Sequence, residues 1–340
     1  MLHLLWAFLA VVLLNFVVGR RLAKCSSKQR RTRALAVLVP VDAVLLTLLL
    51  LEVGMTLFFA QSDGFNLTLS SRNWFARYWQ PINSLGYRDV EPRAPRPGEK
   101  FVLVVGDSFV AGHGVNRAED RFADVLERSL GPGWRVGNAA RIGWDTMDED
   151  RALRSYPVVP NLVVLAYFVN DIYGAAAIRH FPLKFPVRFP HFPPLKYVVD
   201  HFALANFVYW RLARMGNMEG AARLFWDRLR QAYADPGVWA EHASELDSIV
   251  SWCRERHIPL IALIIPHLAD VAGTAPMTAK VAAYFRSQGV PTLDLTGRLL
   301  GRKPSDMMVN SVDSHANVAL NAEMAGWLRP MVLESLRQGD

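Results

Sequence analysis

Residues 101–110 read Phe-Val-Leu-Val-Val-Gly-Asp-Ser-Phe-Val, and this stretch decides the fold class. Its five apolar residues, rich in valine, predict a buried strand of the kind found in parallel sheets. Gly106 lets the chain turn, and Ser108 then stands at the carboxyl end of the strand, where open α/β sheets bind ligands. The sequence offers two interpretations of Ser108, as a nucleophile or as the cap of a following helix.

Beyond this stretch the chain alternates between strand and helix patterns. Short Val/Ile/Leu-rich strands are predicted at 101–106, 134–138, 161–168, 259–266 and 290–295, and helices at 120–130, 146–155, 203–215, 238–257, 277–288 and 318–336. This alternation predicts that residues 101–340 form an α/β domain, a parallel sheet with helices on both faces.

A Phe/Pro-rich insertion, at about 172–235, interrupts the alternation. Within 181–194, phenylalanine precedes proline at each of four successive places. Proline disfavours a helix, so this segment is expected to be extended. It would serve either as an apolar lid or wall beside the site or as a cap packed on the domain's own core.

The first 60 residues predict a membrane anchor. Residues 2–18 and 34–60 are apolar, and each run can cross a hydrocarbon core, which needs about 20 residues. The intervening loop, residues 19–33, is basic, whereas a signal peptide carries its positive charge before the apolar stretch. Basic loops stay in the cytoplasm, so residues 1–60 are expected to form a transmembrane hairpin with the remainder outside the cytoplasm. Residues 61–100 are expected to be a linker and lead-in.

The charge distribution argues against nucleic-acid binding. Seven of the 38 basic residues lie in 1–33, where there is no acid, so the other 31 are balanced by 31 acidic residues. No basic excess therefore remains in the outer domain to contact phosphates. Cys25 and Cys253 would lie on opposite sides of the membrane, and no His, Asp or Glu cluster has ligand spacing. The sequence predicts no disulfide, no metal and no cofactor.

Two carboxylates, Asp42 and Glu52, lie in the second apolar run. A carboxylate in a bilayer is costly and usually faces another helix or water. One interpretation is contact with a partner membrane protein. The simpler one is that Asp42 lies at the inner boundary of a span from Ala43 to Ala60 and that Glu52 is protonated or paired.

Further polar residues follow the later strands. Gly143 comes after the second strand, Asn170 after the third, and Asp313 with His315 directly before the last helix. The strand ends of a parallel sheet share one edge, so these residues can meet Ser108 there. Together they supply a hydroxyl nucleophile, a base with a carboxylate, and oxyanion donors, as acyl transfer needs.

These motifs resemble the SGNH (GDSL-type) hydrolase family. Gly106-Asp107-Ser108-Phe109 is similar to its first block, Asn138 with Gly143 to its second, Asn170-Asp171 to its third, and Asp313 with His315 to its last. The resemblance covers about residues 84–336 and implies a flavodoxin-like three-layer α/β/α fold. It also implies Ser108 as nucleophile, His315 as base and Asp313 orienting His315. The oxyanion hole would be formed by the N–H groups of Ser108 and Gly143 and by the Asn170 side chain.

Two positions depart from the family pattern. Only Ser314 separates Asp313 from His315, where the family has two residues, so the pair is expected to need a tight turn. Phe168 replaces a usual glycine and would narrow the site beside Asn170. Of the other histidines, His113 would either line the pocket or merely belong to a Gly-rich loop. The same two interpretations apply to His267, which follows the fourth strand.

The leading hypothesis is a membrane-anchored extracytoplasmic serine esterase or O-acyltransferase acting on acyl esters of cell-envelope glycans or lipids. The alternative is a non-catalytic glycan-binding or assembly subunit of a membrane complex, which the short Asp-x-His spacing would favour. A weaker third hypothesis is a lysophospholipid or thioester hydrolase.

Overall fold

The computed structural model describes residues 11–13, 15–21, 24, 27–183, 192–214 and 219–337. The chain forms two compact units. The smaller comprises residues 1–61, 67–73 and 188–216, and the larger comprises residues 62–66, 74–187 and 217–340.

The larger unit is built on a five-stranded parallel sheet. Its strands are β1 (Lys100–Gly106), β2 (Trp134–Ala140), β3 (Leu162–Phe168), β4 (Leu260–Ile265) and β5 (Thr292–Asp294). All five run parallel in the order β2-β1-β3-β4-β5, which is the flavodoxin-like order. Every residue of β3 and β4 is buried, as expected for strands covered on both faces. The predicted parallel α/β sheet is confirmed, with strand limits shifted by one or two residues.

Helices cover both faces of this sheet. The β1-to-β2 and β2-to-β3 connections run in opposite directions along the sheet, so right-handed crossovers put their helices on opposite faces. Phe122–Leu130, in the first connection, packs on Val318–Arg337, and Thr146–Ser155, in the second, packs on Pro236–Glu255. The remaining helices with parts in this unit are Leu69–Tyr78, Ser108–Ala111, Tyr173–Ile178, Glu219–Ala234, Val271–Ser287 and Thr296–Leu299, with short 3₁₀ turns at Ala118–Asp120 and Pro304–Asp306.

A small antiparallel pair precedes the last helix. Its strands are β6 (Met308–Asn310) and β7 (Asp313–Ala316). The sequence pattern did not predict these strands, which are only three and four residues long.

The smaller unit contains the helix Lys28–Phe58. Among the described residues it is the one helix long and apolar enough to cross a membrane, and its most apolar window is unburied. It begins and ends earlier than the span expected from Ala43 to Ala60. The first apolar run lies partly outside the described residues, and its described part, 11–13 and 15–18, is helical. The two-helix hairpin therefore stays a prediction.

Part of the Phe/Pro-rich insertion also belongs to the smaller unit. Residues 184–191 lie outside the described residues, but 192–214 contain the helices Pro193–His201 and Ala203–Ala213. The expectation that proline excludes a helix up to residue 194 is wrong. Pro193 and Pro194 occupy the first turn, where a missing N–H costs no helical hydrogen bond.

Both carboxylates of the long helix have partners within the smaller unit. Asp42 Oδ1 accepts a hydrogen bond of 2.9 Å from Asn15 Nδ2. Glu52 is buried, and its carboxylate accepts hydrogen bonds from the backbone N–H groups of Ala203 and Leu204. The interpretation of Glu52 as paired is the one that the structure supports. These contacts remove the observation that suggested a partner membrane protein.

Candidate active site

Ser108 opens a short helix directly after β1. Asp107, not Ser108, caps that helix, because its Oδ1 accepts the Phe109 N–H at 2.9 Å. The cap interpretation of Ser108 is therefore wrong. Gly106 is needed for space rather than for its backbone angles, since a Cβ there would lie 2.5 Å from Val110 Cγ2 and 2.9 Å from the Ala166 carbonyl oxygen. The close packing of β1, β3 and the short helix thus fixes where the Ser108 hydroxyl stands.

The imidazole of His315 lies against that hydroxyl. His315 Nε2 is 2.8 Å from Ser108 Oγ, and His315 Nδ1 is 2.5 Å from Asp313 Oδ1. The three side chains therefore form a continuous hydrogen-bonded series. Its order is that of a nucleophile, a base and an orienting carboxylate.

The single residue between Asp313 and His315 is accommodated by a strand. Both residues lie in β7, and residues two apart on a strand point to the same side of it. The Asp313 carboxylate thereby reaches the His315 ring, and its Oδ1 also accepts the His315 backbone N–H at 3.1 Å. The expected tight turn is wrong, because extended backbone brings the pair together.

Asp313 and His315 each favour the charged form of the other. Burial alone would raise the pKa of Asp313, but the charge of His315 and the hydrogen bonds from His315 and Ser62 outweigh it and hold that pKa below its usual range. Burial disfavours the charged form of His315, yet Asp313 and Asp107 raise its pKa above the ordinary 6.5. His315 is therefore a stronger base here than a histidine in water.

Ser62 and His113 extend the series beyond the three predicted residues. Ser62 Oγ donates to Asp313 Oδ2, and His113 Nε2 lies 3.4 Å from Ser62 Oγ. The His113 ring meets the His315 ring edge-on, with the centroids 4.4 Å apart. Burial, with the nearby charge of His315, lowers the pKa of His113 to about 3, so it stays neutral.

Sequence reasoning missed Ser62 altogether. It lies in the stretch expected to be a linker, and no motif marks it. His113 was considered, and the structure places it beside His315 rather than merely in a Gly-rich loop. His267 instead stacks on Trp226, with the ring centroids 4.0 Å apart.

His113, Asp313 and His315 also form a set whose possible ligand atoms all lie within 4.8 Å of one another. Sequence spacing gave no sign of such a cluster, which the fold creates. Asp313 already accepts hydrogen bonds from Ser62 and His315 in it, as a carboxylate that orients a base does.

The expected oxyanion donors follow the ends of three neighbouring strands. Ser108, Gly143 and Asn170 come two or three residues after β1, β2 and β3 respectively. Gly143 has φ +78°, and no described atom lies within 4 Å of where its Cβ would be. The Asn170 Oδ1 is buried without a hydrogen-bond partner among the described residues. The strand ends thus bring these positions to one edge, and their roles stay predictions.

An aromatic contact borders the ring of His315. The Phe109 ring lies 4.9 Å from the His315 ring and 4.6 Å from that of Phe168. Phe168 is itself largely buried, so its bulk lies next to Phe109 at the end of β3.

Comparison with known proteins finds likeness in structure alone. No family model and no curated sequence matches the chain. A lipolytic protein of the G-D-S-L family from Desulfitobacterium hafniense DCB-2 matches with 13% identity and a TM-score of 0.41, covering 68% of this chain and 99% of that one. Phospholipase A1 from Streptomyces albidoflavus NA297 matches with 12% identity and a TM-score of 0.45, covering 70% and 99%.

A carbohydrate acetylesterase family member from Sinorhizobium meliloti matches with 16% identity and a TM-score of 0.38, covering 70% of this chain and 99% of that one. Proteins of the GDSL and SGNH families are among the matches. At these identities and TM-scores the likeness assigns no activity.

Proposed function

We propose that this protein is a serine ester hydrolase of the SGNH type. The observation that carries the proposal is the hydrogen-bonded series from Ser108 Oγ through His315 to Asp313. A serine hydroxyl is a weak nucleophile until an adjacent base takes its proton. In this series the base is oriented by a carboxylate, which also stabilises the imidazolium that forms.

The reaction follows from these positions. Ser108 Oγ attacks the ester carbonyl carbon while His315 Nε2 takes the hydroxyl proton. The oxyanion of the tetrahedral intermediate accepts hydrogen bonds from the N–H groups of Ser108 and Gly143 and from the Asn170 amide. The intermediate collapses as His315 returns the proton to the departing alcohol, leaving an ester on Ser108. Water attacks this acyl-enzyme to release the acid, whereas attack by a sugar hydroxyl would make the protein an O-acyltransferase.

Ser62 is a positioning residue in this mechanism. Its hydroxyl donates to the Asp313 oxygen that His315 does not use, and so holds the carboxylate in the plane where it can orient the imidazole. His113 contributes bulk next to His315 without adding a competing positive charge.

The location and the substrate class rest on the anchor. The long apolar helix and the basic residues before it support a plasma-membrane hairpin with the larger unit outside the cytoplasm. Acyl esters of cell-envelope glycans or lipids are the substrates within reach of such an enzyme. The rival proposal of a non-catalytic assembly subunit loses its main support, the Asp-x-His spacing, because β7 joins the pair.

The test uses the full-length protein in detergent, an aryl acetate and a fluorophosphonate probe. The wild type is expected to hydrolyse the ester and to carry the probe on Ser108. Ser108→Ala should lose both while keeping its melting temperature, and Ser305→Ala, at an exposed serine, should keep both. Unchanged ester turnover in Ser108→Ala would refute the assignment. A folded wild type that resists the probe and cleaves no aryl ester would favour the assembly subunit.

A further inference from the structure

Two consecutive helices of the smaller unit contact each other, and the second of them also contacts the long apolar helix. They are Pro193–His201 and Ala203–Ala213, and with Phe192 and the connecting Phe202 we name them the 192–213 helix pair. Glu52 of the long helix reaches their junction. Its Oε1 accepts the Ala203 N–H at 2.6 Å, and its Oε2 accepts the Leu204 N–H at 2.8 Å.

The carbonyl groups near the junction are also bonded within the pair. The Val199 carbonyl accepts a hydrogen bond of 2.9 Å from Asn206 Nδ2, and the Tyr197 carbonyl lies 2.8 Å from His201 Nδ1. Helix ends leave such N–H and C=O groups free, and water usually satisfies them. In hydrocarbon each unsatisfied group costs several kcal/mol, so the protein must supply the partners itself. Side chains supply them at both helix ends of this junction.

The junction is attached well inside the long helix. Glu52 lies six residues before Phe58, the last helical residue, which corresponds to about 9 Å along the axis. One leaflet contributes about 15 Å of a hydrocarbon core of roughly 30 Å. If the long helix spans the membrane, Glu52 and the junction bound to it lie at the depth of the acyl chains.

The outer surface of the helix pair is apolar over much of its length. Its exposed large apolar side chains are Phe192, Leu195, Tyr197, Val198, Val208 and Leu212. In its first helix the exposed Lys196 pairs with the half-buried Asp200, and in its second helix the exposed Arg211 lies over the Phe207 ring, 5.6 Å from the centroid. The long helix likewise exposes leucine and valine along its length, so the apolar surface of the pair continues that of the anchor.

We propose that the 192–213 helix pair is immersed in the leaflet that holds the C-terminal half of the helix Lys28–Phe58. Lipid acyl chains cover its exposed apolar side chains, and Glu52 fixes its depth. This inference rests on the membrane anchor of the proposed function but not on the esterase activity. The insertion is then a second membrane contact rather than a lid.

The test places one fluorophore at a time in the full-length protein, reconstituted in phosphatidylethanolamine and phosphatidylglycerol vesicles. In a Cys25→Ser background, with Cys253 buried, Val198→Cys and Val208→Cys report on the helix pair. Val44→Cys reports on the anchor, and Val159→Cys on the larger unit. These four valines are 40%, 45%, 58% and 72% exposed. The quencher is a phosphatidylcholine with a nitroxide on its acyl chain.

The expected result is quenching at positions 198 and 208 comparable with that at 44, and none at 159. Quenching at 44 with no quenching at 198 and 208 would overturn the inference and leave the anchor intact. Absence of quenching at all four positions would refute the anchor, and the inference with it. Hydrolysis of an aryl ester by the same samples reports separately on the catalytic proposal.

A second pair of variants tests the part assigned to Glu52. Glu52→Leu removes the acceptor for the Ala203 and Leu204 N–H groups, whereas Glu52→Gln keeps one acceptor oxygen. We expect Glu52→Leu to lose the quenching at 198 and 208 but not at 44, and Glu52→Gln to keep most of it. Equal quenching in wild type and Glu52→Leu would show that Glu52 does not hold the pair in the bilayer.

Discussion

Two regions of the larger unit bury a carboxylate, and they shift its pKa in opposite directions. On β7, Asp313 is buried and accepts hydrogen bonds from Ser62 and His315, and its pKa is held low. In the helix Thr146–Ser155, Glu149 is equally buried, but neither of its oxygens has a donor among the described residues. Burial, followed by the charges of Asp107 and Asp145, raises the pKa of Glu149 well above its ordinary value.

The difference teaches that donors, rather than depth, decide whether a buried carboxylate carries its charge. Desolvation opposes ionisation at both places. Only at Asp313 do hydrogen bonds, from Ser62 and His315, and a positive partner reverse it. The charged form of Asp313 is thus favoured at one place, and the protonated form of Glu149 at the other.

Neutralising Asp313 should produce the largest effect. Asp313→Asn keeps the shape but removes the charge that stabilises the His315 imidazolium, so we expect kcat on an aryl ester to fall by about 10³–10⁴-fold. Asp306→Asn, at an exposed position of the neighbouring 3₁₀ turn, is the matched control and should retain activity. A loss of less than tenfold in Asp313→Asn would mean that the charge favoured on Asp313, but not on Glu149, contributes little to catalysis.

The pH profile of the wild type gives the next largest effect. Because Asp313 and Asp107 raise the pKa of His315, the base becomes protonated as the pH falls through a value above 6.5. We expect kcat/KM to fall by about tenfold per pH unit below that value. In Asp313→Asn the midpoint of this limb should move to lower pH, measured on whatever activity remains. A midpoint that does not move would assign the limb to another group.

Glu149 should show the opposite behaviour, in stability rather than in activity. The raised pKa of Glu149 means that the folded protein binds this proton more tightly than the unfolded chain does, so this group destabilises the fold as the pH rises above its ordinary pKa of 4.5. Glu149→Gln removes that dependence. We expect the difference in unfolding free energy between pH 7.5 and pH 4.5 to shift in favour of pH 7.5.

The measurement is denaturant unfolding of wild type and Glu149→Gln at both pH values. Glu255→Gln, the same substitution at an exposed position, should leave the pH dependence unchanged. If Glu149→Gln has the same pH dependence as wild type, Glu149 is charged in the folded protein and the contrast with Asp313 is wrong.

Removing the hydroxyl of Ser62 should have the smallest effect of the four. The bond to Asp313 contributes about 1–1.5 kcal/mol, so Ser62→Ala should lower kcat by roughly tenfold. KM should stay unchanged, because the Ser62 hydroxyl bonds to the carboxylate of Asp313. Ser62→Thr keeps the hydroxyl and should recover most of the rate. Equal losses in Ser62→Ala and Ser62→Thr would mean that Ser62 acts by packing alone.

The sequence predicted the sheet because its strands are short runs of Val, Ile and Leu between helical patterns. The sequence also predicted that Ser108, Asp313 and His315 lie close together, because the strand ends of a parallel sheet share an edge and because the motifs resemble a known family. Some helix boundaries next to proline were wrong. The helix Val271–Ser287 continues through Pro276, although a start at Met277 was expected.

Other features had no signal in the sequence. Ser62 lies 46 residues before Ser108 in a stretch with linker composition, and only the tertiary fold brings it to Asp313. Glu52 meets its partners 151 and 152 residues later in the chain, at the start of a helix that was predicted at 203–215 but that nothing in the sequence pairs with Glu52. The lack of hydrogen-bond donors to Glu149 depends on its neighbours in the tertiary fold, so a helical sequence pattern cannot predict it.

The extended backbone of β7 has a consequence for how this site can change. Along a strand, orientation depends on whether the number of intervening residues is odd or even. Adding one residue next to Ser314 would reverse the parity and turn the imidazole away from its carboxylate, although the distance along the chain would hardly alter. A side-chain pair built in this way is expected to tolerate substitution of the residue between its members far better than insertion or deletion.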